Sequence, residues 1–323
     1  MKAAVRSRYG PPEVIGLSEA EKPAIKDDEI LVKIHATTVN RTDCALRAAK
    51  PFFWRLSTGL IRPRARIIGT EFAGEIEAVG AGVTSFRTGD RVFGYNDRGF
   101  GAHAQYMAIH RDGMLAAMPA GLTYEEAAPS TEGAQYALAM IRTAKVRSGQ
   151  SVLVYGATGG IGSAAVQLLK SRGAAVTAVC ATKDVGLVTG LGADRVVDYT
   201  AGDFTKDEQE YDVVIDAVGK STFGRCKRLL KPRGIYVSSE LGPMAQNLFL
   251  VLLTPILRGR RVVFPFPRNG PEMARHFKEL IESGQFRPVI DRRYPLDEIV
   301  EAHRYVETGQ KTGNVVIVVD HPE

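Results

Sequence analysis

The sequence is poor in cysteine and lacks long apolar runs. Cys44, Cys180 and Cys226 are its only cysteines and lie far apart, which excludes a disulfide framework or a four-cysteine zinc cluster. A reducing, cytoplasmic setting is the simplest expectation. No apolar run reaches the ~18 residues that a membrane-spanning helix needs, and Met1–Val5 lacks the long apolar stretch of a secretory signal. We therefore predict a cytoplasmic protein without a membrane partner.

The composition is that of an ordinary globular protein. Hydrophobic residues make up 45% and charged residues 24% of the 323-residue chain, which excludes disordered and collagen-like classes and gives enough length for two domains. The net charge is +6. Seven basic residues and one acid, Asp43, lie between Arg41 and Arg66. Without a recognition motif we expect no nucleic-acid partner, and an anionic small molecule such as a phosphorylated cofactor fits the charge better.

Three stretches of the chain differ in their patterns. Residues 1–123 contain short β-branched runs separated by Gly and Pro turns. Residues 124–284 alternate strand-like and helical patterns, which is typical of a parallel sheet with helices on both faces. The tail, 285–323, returns to strand and turn signals. The sequence thus predicts an α/β protein with one domain from 1–123 and 285–323 and a second, doubly wound domain from 124–284.

A glycine turn lies between a predicted strand and a predicted helix. The strand is Ser151–Tyr155, and a helical pattern covers 163–172. The turn between them is Gly156, Ala157, Thr158, Gly159, Gly160, Ile161 and Gly162. In this order Gly159 permits close approach of a pyrophosphate, and Gly162 lets the helix lie against the strand. The helix N-terminus then attracts the anion. A tight turn without a ligand is the alternative.

The end of the second strand indicates which dinucleotide binds. NAD-binding sites usually place an acid there for the ribose 2′-hydroxyl. Here Cys180 ends the strand, Thr182 and Lys183 follow, and no acid occurs before Asp184. A hydroxyl and an ammonium group favour a 2′-phosphate, so we predict NADPH as cofactor. Alternatively, Lys183 only begins the next helix and faces water.

Further residues follow the other predicted strands. Tyr199 ends the third strand and is placed to cover the adenosine side, unless it is an ordinary edge tyrosine. Because ligands bind at the carboxyl ends of such strands, the residues that follow the fourth and fifth strands should border the nicotinamide half. They are Ala217, Val218, Ser238 and Ser239.

Several short motifs occur in an order that resembles the medium-chain dehydrogenase/reductase superfamily, in its zinc-independent, quinone oxidoreductase-like branch. Besides the 156–162 turn they are Val39–Asp43, Gly69–Glu75, Val79–Gly80, Gly89–Gly94, Gly101–Tyr106, Leu191–Asp194 and Gly313–Ile317. The resemblance covers essentially the whole chain. It implies a GroES-like β-barrel domain completed by the tail, a Rossmann domain, and a cofactor contact at Asn314.

The zinc ligands of the related alcohol dehydrogenases are missing. Where those enzymes place a Cys and a His, this sequence has Asn40 and Thr70, and Glu132 is the nearest ligand-capable residue at the domain junction. Glu71 remains, but a catalytic zinc needs three protein ligands. We therefore predict no metal.

Without zinc, acceptors that spread negative charge through conjugation are favoured, which points to quinones and α,β-unsaturated carbonyls. Asn40 is the leading donor to the acceptor oxygen, although it could instead stabilise a turn. Asp43 is expected to orient this loop, and Gln135 and Tyr136 to approach the nicotinamide. A zinc-less alcohol dehydrogenase-like enzyme and a catalytically idle NADPH-binding interaction protein are the alternative functions.

Three apolar or strand-like segments remain to be assigned. Residues 52–54 and 247–257 either shape the substrate pocket or belong to the core or a subunit interface. Arg260–Phe264 resembles the edge strand that pairs two subunits in this family, so the resemblance implies a homodimer.

Overall fold

Two compact units make up the protein. The computed structural model describes residues 1–52 and 54–321. Backbone contacts divide the chain into a first unit of Met1–Thr131, Asn269–Ser283 and Pro288–Glu323 and a second unit of Glu132–Arg268 and Gly284–Arg287. Relative to the limits expected from the sequence, 124–131 and 269–283 lie in the first unit and 285–287 lie in the second.

Antiparallel strands build most of the first unit. Its strands are β1 (Lys2–Arg6), β2 (Ile15–Glu19), β3 (Glu29–Val39), β4 (Glu71–Val79), β5 (Arg91–Tyr95), β6 (Tyr106–His110), β7 (Met114–Ala117), β14 (Ile290–Pro295) and β15 (Asn314–Val318). Strands β1 and β2 pair with each other. The others form a sheet in the order β14-β15-β3-β4-β5-β7, with β6 paired to β3. The tail strand β15 therefore joins β3, as expected.

The helices of the first unit cover this sheet and its loops. They are α1 (Arg41–Ala48), α2 (Trp54–Thr58), α3 (Tyr124–Ala127), α9 (Pro271–Glu282) and α10 (Ile299–Glu307). Ile30, Val32 and Ile34 alternate along β3 and pack in one core cluster with residues of α10, the period of two expected when one strand face is buried. Helix α9 buries Met273 and Phe277 on one face and packs against β7, which explains why 269–283 belongs to this unit.

The second unit has a parallel sheet. Its strands are β8 (Ser151–Tyr155), β9 (Ala175–Cys180), β10 (Arg195–Asp198), β11 (Tyr211–Asp216), β12 (Leu230–Ser238) and β13 (Arg261–Val263). Its helices are α4 (Glu132–Thr143), α5 (Gly160–Lys170), α6 (Val185–Gly190), α7 (Phe223–Cys226) and α8 (Gln246–Leu253). The strand order is β10-β9-β8-β11-β12-β13. Apolar runs such as Val152–Val154 are fully buried, as in sheets covered on both faces.

The predicted strand and helix alternation is confirmed, with two differences. Helix α5 begins at Gly160 instead of 163, because Gly159 acts as its N-cap and the glycine turn forms the first helical turn. Helix α8 covers most of the first part of the unassigned 247–257 segment. Only Asn247 of this helix is buried, and Leu250 and Val251 pack partly buried against the core cluster of the second unit, so the helix lies at the margin of the core. Of the 52–54 segment, residue 53 lies outside the described residues.

Candidate functional site

Parallel pairing brings the predicted cofactor residues of the second unit to one edge of the sheet. Tyr155 pairs with Val179 and Asp216, and Asp216 also pairs with Ser238. On the other side Cys180 pairs with Asp198. Residues that follow these strands therefore meet at the same edge. They are Gly156, Thr182, Lys183, Tyr199, Ala217, Val218 and Ser239.

The glycine turn has the close approaches that its residues predict. Gly156 has φ +78°, and a Cβ atom there would lie 1.7 Å from Val218 Cγ2. A Cβ atom on Gly162 would lie 2.0 Å from the Gly156 carbonyl oxygen. Gly159 offers no side-chain hydrogen bond to the first N–H groups of α5. Its own Cβ position meets only the Gly156 oxygen at 3.8 Å. Space and helix dipole therefore fit a phosphate group at Gly159.

Helix α4 lies directly against this turn. A Cβ atom on Gly133 would be 2.6 Å from the Gly160 carbonyl oxygen. Gln135 follows on the same helix and is buried, and its Oε1 has no hydrogen-bond partner among the described residues. Tyr136 is half-buried. Sequence reasoning selected Gln135 and Tyr136 but missed Gly133, whose only signal is a glycine inside a helical pattern.

Charges of both signs lie at the end of β9. Lys183 is exposed, and its role at a 2′-phosphate stays a prediction. Thr182 Oγ1 donates a hydrogen bond to Asp198 Oδ2, and its hydroxyl lies 2.8 Å from Thr200 Oγ1. The Thr182 hydrogen bond lowers the pKa of Asp198. Sequence reasoning missed this acid, because it lies beside Thr182 only through the β9–β10 pairing. Burial raises the pKa of the Cys180 thiol to about 11, so the thiol is neutral near pH 7.

Asp216 orders the loop after β11. Its buried carboxylate accepts hydrogen bonds from the backbone N–H groups of Val218 (3.1 Å), Gly219 (2.7 Å) and Ser221 (3.1 Å). It also accepts one from Tyr236 Oη at 2.9 Å. Since Val218 contacts Gly156, this carboxylate fixes the loop beside the glycine turn. In the sequence, the signal that pointed to Asp216 was its position at the end of a predicted strand.

In the first unit, Asn40 and Asp43 cap helix α1. Asn40 Oδ1 accepts from Asp43 N at 2.8 Å, and Asp43 Oδ2 accepts from Asn40 N at 3.1 Å. This reciprocal arrangement is a capping box. Asn40 Nδ2 donates to Thr70 Oγ1 at 2.9 Å. An amide nitrogen carries two hydrogens, so one N–H remains for another acceptor. Asn40 can therefore stabilise the start of helix α1 and still have an N–H group to donate to a substrate oxygen.

Asp43 lies in a fully buried polar group. Thr70 Oγ1 is 3.3 Å from Asp43 Oδ1, and His103 Nε2 is 3.8 Å from Asp43 Oδ2. Burial raises the pKa of Asp43 to about 8, and the charge of Glu71 adds to the rise while the Asn40 N–H opposes it. Burial also lowers the pKa of His103 to about 4. Both groups are therefore neutral near pH 7.

The raised pKa of Asp43 predicts a pH-dependent stability. The folded protein retains this proton up to about pH 8, whereas an unfolded Asp loses it near pH ~3.9. The free energy of unfolding should therefore fall as pH rises, by up to ~1.4 kcal/mol per pH unit. Asp43→Asn imitates the neutral form and should remove this slope. Urea unfolding between about pH 6.5 and 8 compares the two proteins. Because both contain the same histidines, histidine titration near pH ~6.5 cancels in the comparison, and equal slopes would contradict a protonated Asp43.

The residues that stand where related alcohol dehydrogenases place zinc ligands do not fit a catalytic zinc. Asn40 and Thr70 are hydrogen-bonded to each other. The Glu71 carboxylate accepts from Thr38 Oγ1 at 2.7 Å and from Thr131 N and Oγ1 at 3.1 and 2.8 Å. In the part of the chain that the structure describes, no three His, Cys, Asp or Glu residues are grouped to hold a metal ion. Zinc ligation needs three such side chains.

Asn314 begins β15 in the first unit. Its Nδ2 donates to the Val289 carbonyl oxygen at 3.0 Å. Of the predicted site residues, Asn40, Asp43 and Asn314 belong to the first unit, and Gln135, Tyr136 and the strand-end residues belong to the second. The cofactor role of Asn314 stays a prediction.

Two family models match the chain. The alcohol dehydrogenase GroES-like domain matches residues 26–120, and the zinc-binding dehydrogenase domain matches residues 191–317. Together with the parallel sheet and its glycine turn, these matches define the class as an NAD(P)-dependent oxidoreductase.

Individual proteins identify the branch. A 2-methylene-furan-3-one reductase of Solanum lycopersicum is 33% identical over 100% of this chain and 79% of its own length. A chloroplastic NADPH-dependent alkenal/one oxidoreductase of Arabidopsis thaliana is 31% identical over 98% of this chain and 79% of its own length. The quinone oxidoreductase structure from Coxiella burnetii has a TM-score of 0.88 and 27% identity, with 99% of each chain covered. The chain belongs to the medium-chain dehydrogenase/reductase superfamily, in its quinone oxidoreductase-like branch.

Proposed function

We propose that this protein is a zinc-independent reductase that uses NADPH to reduce a quinone or an α,β-unsaturated carbonyl compound. The observation that carries the proposal is the hydrogen-bonded Asn40–Thr70 pair, which stands where related alcohol dehydrogenases place zinc ligands. The names of the two plant relatives, an enone-type reductase and an alkenal/one oxidoreductase, support this substrate class.

The second unit supplies the residues to hold the cofactor. The backbone of 156–162 would hold the pyrophosphate, with Thr182 and Lys183 at the 2′-phosphate and Tyr199 on the adenosine side. The unpartnered Gln135 Oε1 is an acceptor suited to the carboxamide N–H of nicotinamide. Tyr136, Ala217, Val218, Ser238, Ser239 and Asn314 would border that half.

The first unit supplies a donor to the substrate. NADPH, when bound, provides the hydride. In a conjugated acceptor the added charge spreads onto the carbonyl oxygen. The second N–H of Asn40 Nδ2 would donate to that oxygen, and its orientation is fixed by the bonds to Thr70 and Asp43. A donor held in place before reaction stabilises charge without reorganisation. Solvent delivers the proton.

Asn40→Ser tests this role while retaining the helix cap. Serine caps helices about as well as asparagine but has no amide. We expect turnover to fall roughly ten- to thirtyfold, or ~1.4–2 kcal/mol, with unchanged NADPH affinity. Asn40→Ala should show the same loss of turnover and, in addition, lose ~1 kcal/mol of stability. Unchanged turnover of Asn40→Ser on every accepted substrate would remove Asn40 from the reaction.

Metal independence is part of the proposal. Of Asn40, Thr70 and Glu71, only Glu71 is a usual zinc ligand, and a catalytic zinc needs three protein ligands. Treatment with a chelator should leave activity and melting temperature unchanged. A stoichiometric zinc whose removal abolishes turnover would contradict this reading of the site.

We also propose a homodimer. Strand β13 ends the sheet order, and Phe249, Leu252, Ile256 and Phe266 near it are exposed apolar side chains. Pairing of β13 with a second copy would cover this edge. Sedimentation velocity should find a two-chain species, and a monomer at micromolar concentration would contradict it.

No helix among the described residues is long and apolar enough to cross a membrane. Location in the cytoplasm remains a proposal, which cell fractionation tests.

A further inference from the structure

A short surface segment of the first unit exposes several apolar side chains that lie close together in sequence. We call residues 50–66 the basic-apolar segment. Phe52, Leu56, Leu60 and Ile61 within it are between 60% and 83% exposed. Single exposed apolar residues are normal, but several together on a soluble protein mark a contact surface.

The segment is fixed to the body of its unit. Tyr9 Oη lies 2.8 Å from Thr58 Oγ1 and donates to the Gly59 carbonyl oxygen at 2.8 Å. Arg64 N donates to the Thr58 carbonyl oxygen at 2.8 Å, and the Arg6 guanidinium contacts the Ala65 carbonyl oxygen at 3.4 Å. The apolar side chains therefore project from a folded platform, and their exposure is not that of a loose tail.

Cations flank these apolar side chains. Lys50, Arg62, Arg64 and Arg66 are exposed, and the Arg55 guanidinium lies over the Phe52 ring at 5.1 Å.

Acidic neighbours do not cancel this charge. Asp43, the one acid in residues 41–66, is fully buried. The Glu307 carboxylate pairs with Arg47, which lies outside the segment. The basic-apolar segment thus combines exposed cations and exposed apolar side chains along one stretch of the chain.

We propose that the basic-apolar segment binds the surface of membranes that contain anionic lipids. Apolar side chains that enter the boundary between headgroups and acyl chains, surrounded by arginines that contact phosphates, are the pattern of peripheral membrane binding. Single-stranded nucleic acid is bound by aromatic rings that stack on its bases, whereas three of the four exposed apolar side chains here, Leu56, Leu60 and Ile61, are aliphatic. The exposed apolar side chains near β13 are not assigned to membrane binding, because they lie beside an edge strand that a second copy of the chain could pair with.

This inference revises the expectation of no membrane partner. That expectation followed from the lack of a spanning helix, and a sequence does not show which apolar residues remain exposed. The membrane binding does not depend on the proposed function. If the proposed function holds, lipid-soluble quinones and alkenals dissolve in the same bilayers, so a surface-bound enzyme would meet its substrates there.

The test is co-sedimentation with phosphatidylcholine vesicles, with and without phosphatidylglycerol. We expect binding only with phosphatidylglycerol and a decline at high salt, since exposed charges are screened. Equal binding to both vesicle types, or none to either, would overturn the proposal without any variant.

Two variants locate the surface. A triple variant, Arg62→Glu, Arg64→Glu and Arg66→Glu, should weaken vesicle binding by at least about 100-fold, since each cation near an anionic membrane contributes about fivefold. A second, Leu56→Ser, Leu60→Ser and Ile61→Ser, should also lose binding while keeping its charge. The matched control is Lys227→Glu, Arg228→Glu and Arg233→Glu, an equal charge change at exposed residues of the second unit. An equal loss in the control would show that binding depends on the net charge of the whole protein and not on this segment, which would overturn the proposal.

Melting temperature and oligomeric state complete the test. Variants should melt like the unmodified protein. If a variant unfolds, the proposal is judged from the unmodified protein alone, by how its vesicle binding depends on phosphatidylglycerol and on salt. Conversion of a dimer to a monomer by the serine variant would assign the surface to a second copy instead. Duplex DNA binding that is tighter than vesicle binding and lost in the glutamate variant would assign it to nucleic acid.

Discussion

Replacing Gly162 by alanine should weaken NADPH binding by roughly 100-fold, or ~2.7 kcal/mol. The new Cβ atom would lie 2.0 Å from the Gly156 carbonyl oxygen and 2.9 Å from Ala157 Cα. Both obstacles are backbone atoms, so the helix must move away from the turn. Overpacking of this kind costs ~1–3 kcal/mol, and the movement also displaces the N–H groups that would hold the phosphates.

Gly190→Ala is the matched control. Gly190 lies in α6, and a Cβ atom there meets nothing within 4 Å. Alanine is a better helix former than glycine, so this variant should bind NADPH normally with equal or higher stability. Isothermal titration calorimetry measures both affinities. Normal binding by Gly162→Ala would remove the turn from the cofactor site.

Lys183→Glu should reverse the proposed preference for NADPH over NADH. A charge-assisted hydrogen bond to the 2′-phosphate contributes ~1.5–3 kcal/mol, so NADPH affinity should fall about ten- to 100-fold or more, with added repulsion from the new carboxylate. NADH lacks the phosphate, and its affinity should change little. The Asp198 carboxylate lies at the same strand edge and would repel a 2′-phosphate, so the proposed preference for NADPH rests on Lys183.

Both cofactors must be titrated to interpret this variant. Lys227→Glu provides the matched control, because Lys227 is exposed in the same unit but lies outside the predicted site. Equal loss of NADPH and NADH binding in Lys183→Glu would show that Lys183 does not recognise the 2′-phosphate.

The cofactor edge of the second unit was largely predictable from the sequence. Strand and helix patterns alternate there, and parallel strands end at a common edge, so residues such as Gly156, Cys180 and Ala217 come together by topology alone. Gly162 was identified because only glycine permits the close approach of helix and strand that this turn requires.

Contacts between residues remote in sequence were not predictable. Asp198 reaches Thr182 through strand pairing, and Gly133 meets Gly160 through packing of two helices. Asn40 was chosen because it replaces a metal ligand, but its second task as a helix cap appears only in the capping box with Asp43. The protonation of Asp43 depends on complete burial, which a single sequence does not reveal.

Exposure also separated segments that look alike in sequence. Residues 247–257 and 52–54 are both apolar, and either could have belonged to the core. The structure exposes most of 247–257 and also Phe52. Residues 247–257 precede the edge strand β13, whereas the Arg55 guanidinium lies over the Phe52 ring.

The central claim is hydride transfer from NADPH to a conjugated acceptor, and the direct measurement is the position of the transferred hydrogen. NADPH deuterated at the transferred position is oxidised with a panel of alkenals, alkenones and quinones, and the products are analysed by mass spectrometry and NMR. The account predicts a saturated carbonyl product with one deuterium on the carbon β to the carbonyl, or formation of hydroquinone from a quinone, with matched loss of NADPH. Deuterium on the carbonyl carbon of an alcohol product, or no NADPH oxidation with any acceptor, would contradict it.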